Sequence, residues 1–303
     1  MSRHVKVNLL GVPDSAGAYC VGIEQAPAAL REAGLVGALT DAGRDVHDHG
    51  DLTLRRWAPD RENRFLQNLG AEVAAMSELA SAASRVLSED SQLVVIGGSC
   101  LVALGMCAAV TERGERPRLI YIDRHLDLNT SHSTSEGSLS WMGMAHALEL
   151  DGTAPQLTKV TGQAPLLRSS DLVYLGVDLT QGTDWELSQV DELQLNVITQ
   201  EELCADARQA AARARGLLSA GPFMVHLDVD VLDFIDAPIA ENVNGRNSGP
   251  TIELLERALV VLLQDPHCLA LSIGQLNPAH AASDPTALPR LVTTLVSALG
   301  PGQ

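Results

Sequence analysis

Short β-branched runs alternate with Ala/Leu-rich stretches from one end of the chain to the other. That alternation specifies a parallel sheet covered by helices on both faces. Eight runs read as strands: residues 5–10, 44–49, 92–97, 118–123, 172–177, 193–199, 223–230 and 268–275. Helices are predicted between them at 25–34, 61–89, 101–112, 139–150, 200–219, 251–264 and 285–299. The longest carries Leu66, Leu69, Val73, Met76, Leu79 and Ala83 along one apolar face. No Pro/Ser/Gly-rich linker, charge block or short repeat divides the chain, so a single domain over 1–303 is expected. In such a sheet ligands bind beyond the carboxyl ends of the strands, which makes the polar residues just after each strand the ones of interest.

Composition narrows the partners. With 21 Lys+Arg against 38 Asp+Glu, the 303-residue chain carries a formal charge of −17, which excludes a general nucleic-acid binder because counterion-release binding needs a basic face. Five cysteines, an odd number without CxxC spacing, argue against a disulfide framework or a structural zinc knuckle. The apolar stretch near the N-terminus is about one strand long, too short for a signal peptide, and no run approaches the roughly 20 apolar residues that span a bilayer. A cytoplasmic protein with a small-molecule substrate and no membrane partner is the expectation.

Three strands run directly into residues with metal-binding chemistry. RLIYI enters DRHLDLNT, where Asp123, His125 and Asp127 share one side of an extended segment. PFMVHL enters DVDVLD, where Asp228 and Asp230 do the same, and LVVIG ends at GGSC, leaving Cys100 at the mouth of the next helix. If the strands are parallel, all three clusters meet at one end of the sheet. Four converging carboxylates would repel one another unless cations neutralise them, and two divalent ions supply four positive charges. Carboxylates with one imidazole suit Mn²⁺ or a similar ion, and two such ions can deprotonate a water for attack on an electrophilic carbon. Among the other histidines, His226 reads as a hydrogen-bonded histidine behind the site, while His132 and His146 lie on a loop and a helix face. His4, His47, His49, His267 and His280 have no constellation near them in sequence.

These residues resemble the arginase and agmatinase group, the ureohydrolase superfamily, nearly end to end. VGIEQAPAALREAGL is similar to the family's N-terminal segment, HDHGDL to the strand after it, DRHLDLNT to DAHxDxN, VHLDVDVLD to SxDxDxxDP and SIGQLNP to the final strand motif. The resemblance implies a three-layer α/β/α fold with an eight-stranded parallel sheet, two Mn²⁺ per chain, hydrolysis of a guanidinium group and a homo-oligomer, trimeric or hexameric. It also implies that Asp123 and Asp228 bridge the ions, that His125 and Asp230 complete one, that Asp127 completes the other, and that Asn129 contacts substrate.

Departures from the family are equally informative. GGSC replaces GGDH, so Cys100 stands in a ligand position, and a soft thiolate should weaken that site for manganese or favour another divalent ion. Some arginase-like enzymes acting on N-hydroxyarginine resemble this chain in having a cysteine there. Gln275 replaces a glutamate that pairs with the guanidinium, and an amide lacks the charge-assisted bidentate pairing of a carboxylate. A neutral N-hydroxyguanidine, amide, imine or lactone would suit its combined donor and acceptor. Ser140 lies where a proton-shuttling histidine is expected, leaving that role vacant or passed to water or His146. PIAENVNGRN replaces a small-residue loop and brings Glu241 and Arg246 beside the pocket, and Arg124 sits between two ligands and needs a partner carboxylate if buried. Asp127 and His146 are therefore the candidate catalytic side chains, and Asn129, Gln275, Ser140 and Glu241 the candidate substrate contacts.

Two other readings compete with a C–N hydrolase. One is a non-catalytic or regulatory relative with a partly lost metal site. The other makes Cys100 a covalent nucleophile, which the surrounding aspartates disfavour because they oppose thiolate formation.

Overall fold

The computed structural model describes residues 5–243 and 247–302. Its strands are β1 Lys6–Gly11, β2 Asp45–Asp51, β3 Ser91–Ile96, β4 Leu119–Ile122, β5 Leu172–Val177, β6 Asn196–Thr199, β7 Phe223–Asp228 and β8 Cys268–Gly274. They form one parallel sheet in the order β2-β1-β3-β8-β7-β4-β5-β6, with helices on both sides.

Burial follows position in the sheet. The central strands β3, β8, β7 and β4 are buried at every residue because helices cover both faces, so they read as unbroken apolar runs. Strand β2 lies at an edge, and its sequence DVHDHGD is largely exposed; charges along an open edge discourage pairing with another chain. The chain leaves β3 and crosses two strand positions before laying down β4, and β8 and β7 later fill that gap. The carboxyl ends of these four strands therefore meet where the strand order changes direction, the usual place for a ligand in an open α/β sheet.

All eight predicted strands are present, and the helices differ in instructive ways. The predicted helix 61–89 is confined to Leu69–Val86, because the Asp60 carboxylate accepts from the Asn63 and Asn68 backbone amides and holds the preceding residues in turns. The predicted helix 200–219 divides into Gln200–Ala205 and Ala207–Leu217. Asp206 between them is extended and caps the second helix by accepting from the Gln209 amide. Helices at Leu35–Asp41, Pro155–Thr158 and Asp184–Glu192 are additional; the last opens with a Thr183/Glu186 capping box.

Close backbone packing fixes the turn after β3. A Cβ on Gly98 would lie 1.5 Å from the Asp14 carbonyl oxygen, so no other residue fits there while the β1 and β3 turns stay in place.

Candidate metal centre and cavity

The turns after β3, β4 and β7 bring the predicted ligands together, but by a different route from strand alternation. Strand β4 ends at Ile122, and the Asp123 carboxylate then accepts from the His125 amide at 2.6 Å, curling the chain back. Beyond β7 the chain makes a single 3₁₀ turn, with the Asp228 carboxylate accepting from the Asp230 amide at 2.8 Å. These aspartates convert strand ends into turns that fold their own side chains toward a common centre.

Two groups of metal-capable atoms result. Cys100, Asp123 and Asp228 each place a ligand atom within 4.8 Å of the others, and Asp123, His125 and Asp230 form a second group on the same criterion. Asp123 belongs to both. His125 Nδ1 lies 3.3 Å from Asp123 Oδ1 and 3.2 Å from Asp230 Oδ2, so the imidazole points into the carboxylates. The Cys100 thiol donates to Asp228 Oδ2 at 2.6 Å. Asp127 is in neither group: its Oδ2 accepts from the Tyr121 hydroxyl at 2.5 Å.

The protonation behaviour is that of carboxylates crowded into a buried site. Burial, reinforced by Asp230, pushes the Asp123 carboxyl up to about 6, and burial also drives Asp127 and Asp228 well above the carboxylate range. Burial raises the Cys100 thiol, and the neighbouring carboxylates Asp228, Asp127 and Asp123 raise it further. Burial opposes a charge on His125, but Asp230 and Asp123 outweigh it and push the imidazole up. Burial likewise opposes the Asp230 charge, and His125 and Arg124 more than offset it, holding that carboxyl down.

Asp123 Oδ2 and Asp230 Oδ1 are buried and have no hydrogen-bond partner among the described residues. Buried polar atoms in a folded protein are usually paired, and, lying within the donor groups, these two oxygens are candidate ligand positions. Carboxylate oxygens, one imidazole nitrogen and one sulfur fit a pair of divalent cations.

Beside the cluster lies a cavity of about 200 Å³ lined by residues including His125, Asp127, Asn129, Trp141, Thr183 and Glu186. The Asn129 carbonyl oxygen accepts from Thr183 and Ser133, which leaves the amide nitrogen as the end that can meet a ligand. Glu186 is held by the amides of Leu128 and Thr183, so it shapes the wall.

The other predicted contacts do not line this cavity. Gln275 is buried after β8, its backbone amide donating to the Gly98 carbonyl and its Oε1 without a hydrogen-bond partner among the described residues. Ser140 is buried and shares a hydrogen bond with Ser138. Glu241 accepts from the Asn277 side-chain amide, from Cys20 at 3.0 Å and from Tyr19 at 3.4 Å, and so braces the loops after β1, β7 and β8. His146 requires correction as a proton carrier. Nδ1 meets the Met142 carbonyl at 2.7 Å and Nε2 accepts from the Ala154 amide at 3.0 Å, while burial pushes the ring down to about 4. Both nitrogens are committed to backbone, so it has no open position for substrate. Arg246 and His4 lie outside the described residues.

Arg124 is fully buried, as its position between ligands implies, but its described partners include backbone carbonyls where a carboxylate was expected. The guanidinium donates to the carbonyls of Asp230 at 2.6 Å and Ser248 at 2.8 Å, and to the Ser248 hydroxyl at 3.0 Å. It thereby ties the loop after β7 to the β4 turn. Sequence reasoning passed over Tyr121, although it stands two residues before Asp123 and so on the same face of β4. It also passed over Thr183 and Glu186, whose T-x-x-E spacing is legible as a capping box.

A three-layer α/β/α sheet whose carboxyl edge gathers two carboxylate-rich donor groups is the frame of an α/β protein with a candidate two-metal site. The family model described as "Arginase family" matches residues 5–299, and the chain belongs to that family. It is 26% identical to arginase-1 of Oryctolagus cuniculus over 98% of this chain and 92% of that protein, and 27% identical to the Bacillus caldovelox arginase over 84% and 87%. The native structure of Bacillus caldovelox arginase superposes with a TM-score of 0.87 at 24% identity, covering 99% of both chains. A Trypanosoma cruzi formiminoglutamase variant solved with Mn²⁺ superposes at 0.74 and 18% identity, covering 97% of this chain and 91% of that one.

Proposed function

We propose that this protein is a dinuclear metal-dependent amidinohydrolase-like enzyme that cleaves a C–N bond in a small guanidine-like, N-hydroxyguanidine or amide substrate. The observation that carries the reading is the pair of donor groups sharing Asp123, with two unpaired carboxylate oxygens, beside a cavity of substrate size. Cys100, Asp123, Asp127 and Asp228 would hold one Mn²⁺, and His125, Asp123, Asp228 and Asp230 the other; manganese is also the ion in the solved formiminoglutamase variant. Two such ions would balance the charge of these carboxylates and, when bound, activate water for attack on a trigonal carbon.

The chain's own residues do the rest. Asn129 offers its amide nitrogen to a substrate acceptor, and Trp141 and Thr183 close the cavity walls. Gln275 is buried off the wall of this cavity, so its part in recognition rests on its place at the family's glutamate position: its Oε1 has no partner among the described residues, and the side chain can both accept from and donate to a neutral group where a cationic guanidinium would find no carboxylate. Before a cation can bind sulfur, the Cys100 proton must leave; its hydrogen bond to Asp228 Oδ2 gives it a path into the carboxylate cluster. A single domain, a homo-oligomeric assembly and a cytoplasmic location belong to the same proposal. No helix among the described residues is long and apolar enough to cross a membrane.

One observation favours the alternative of a non-catalytic relative: Ser140 is bonded to Ser138 and His146 to backbone, so neither candidate shuttle is open. Metal analysis of protein grown with added manganese, followed by an activity screen of arginine, agmatine, hydroxyarginine and simple amides, separates the two. Two ions per chain with turnover of a neutral substrate support the hydrolase; one ion or none without turnover supports the relative. Rapid turnover of unmodified arginine would contradict the reading of Gln275.

A further inference from the structure

Directly beneath the donor cluster a row of polar side chains crosses the sheet at one level. Register pairs Tyr174 of β5 with Tyr121 of β4, Tyr121 with His226 of β7, and His226 with Ser272 of β8. All four are buried. His226 Nδ1 meets the Ser272 hydroxyl at 2.9 Å, which fixes the imidazole plane. The Tyr121 ring stacks on that plane with centroids 4.8 Å apart and 22° between planes, and Tyr174 meets its other side edge-on at 5.7 Å. With two aromatic neighbours against the ring, the Tyr121 hydroxyl donates to Asp127 Oδ2 at 2.5 Å. Tyr174 donates to the Leu126 carbonyl at 2.8 Å, one residue earlier.

The target of these contacts is a residue in a costly conformation. Asp127 has φ +52°, in the left-handed region that non-glycine residues seldom adopt. Its carbonyl accepts from the Met144 and Ala145 amides at 3.1 and 3.2 Å. Backbone bonds therefore fix the peptide, and the hydroxyl from below fixes the side chain.

We infer that Tyr121 is a positioning residue for the Cys100 half of the metal centre: by occupying Asp127 Oδ2 it aims the remaining Asp127 oxygen at the ion held by Cys100, Asp123 and Asp228. This rests on the metal-centre reading above. A hydrogen bond to a ligating carboxylate fixes its orientation in the apoprotein, so the ion does not bear the cost of ordering it. The need is greater here because the thiol of Cys100 is a poor partner for a hard ion.

The test uses Co²⁺ as a probe of the metal-free full-length protein, because cobalt bound to thiolate gives a charge-transfer band that reports the Cys100 half alone. Tyr121→Phe retains the ring and its stacking while removing the hydroxyl. Its Co²⁺ midpoint for that band should move up about 10- to 100-fold, the usual cost of losing such a partner. The ion next to His125, followed as the second equivalent by calorimetry, should bind as before. In an Asp127→Asn background the further change Tyr121→Phe should shift the midpoint no more, since the residue acts through Asp127. An unchanged midpoint in Tyr121→Phe, or an undiminished shift in the Asp127→Asn background, overturns the inference while leaving the metal centre standing. A complete lack of cobalt binding by the unaltered protein overturns both.

Discussion

Replacing Asp14 with asparagine should stabilise the protein near neutral pH and have almost no effect in mild acid. Asp14 and Glu72 lie buried side by side behind the β3 turn, each with one carboxylate oxygen bonded to a backbone amide, of Ala16 and Gly17 respectively. Their other oxygens, Asp14 Oδ2 and Glu72 Oε2, have no other partner among the described residues. Burial pushes the Asp14 carboxyl from 3.8 up to about 6 and, with Asp14 opposite, lifts Glu72 well above its usual range. The folded protein therefore holds the Asp14 proton more tightly than the unfolded chain does. Stability from that proton is complete below pH about 4, declines as pH rises, and is gone above about 6. A shift of about two units, at 1.36 kcal/mol each, sets a ceiling of about 3 kcal/mol. An asparagine keeps the acceptor for Ala16, cannot ionise, and offers Glu72 Oε2 a donor. Urea unfolding of both proteins at a series of pH values, compared at each pH so that shared titrations cancel, should show a gain of up to about 3 kcal/mol at pH 7.5 that vanishes toward pH 4. A variant less stable at pH 7.5, or a difference independent of pH, would refute the shared burial as the cause.

Cys100→His should tighten Mn²⁺ binding at least 10-fold by equilibrium dialysis, since imidazole suits that ion better than a thiol; equal affinity would mean the sulfur does not bind metal. Gln275→Glu should improve the ratio of kcat/KM for a cationic guanidine over a neutral analogue by roughly 10- to 100-fold, from a charge-assisted pair worth about 1.5–3 kcal/mol. No change in that ratio would remove Gln275 from recognition. His146→Gln should lower stability by about 1–3 kcal/mol through loss of buried backbone partners while leaving the shape of the pH–rate profile intact; a lost limb in that profile would restore His146 as a proton carrier.

The sheet was legible because its inner strands are covered on both faces and so appear as continuous apolar runs; LVVI, LIYI and FMVHL could hardly be anything else. The candidate ligands were legible because they follow those runs immediately. What strand periodicity misrepresented was how they meet. Alternation assumes that the chain stays extended, whereas Asp123 and Asp228 bond to amides two residues on and bend it. The missed helix Asp184–Glu192 is short and polar, so apolar spacing gives it little signal and only its Thr183/Glu186 cap marks the start. His146 looked available because a histidine on a helix face is free in sequence; its two backbone partners come from a turn before and a loop after, which periodicity cannot show.

The contact of Gly98 with the Asp14 carbonyl bears on how the candidate centre could be altered. Because two main chains touch there, the turn that leads from β3 to Cys100 cannot move closer to the β1 turn. A change of candidate donor at position 100 is therefore more readily made by trading one side chain for another than by moving the backbone toward β1. The same rigidity makes position 100 a clean place for engineering: whatever a new residue does to ion preference will come from its own atoms.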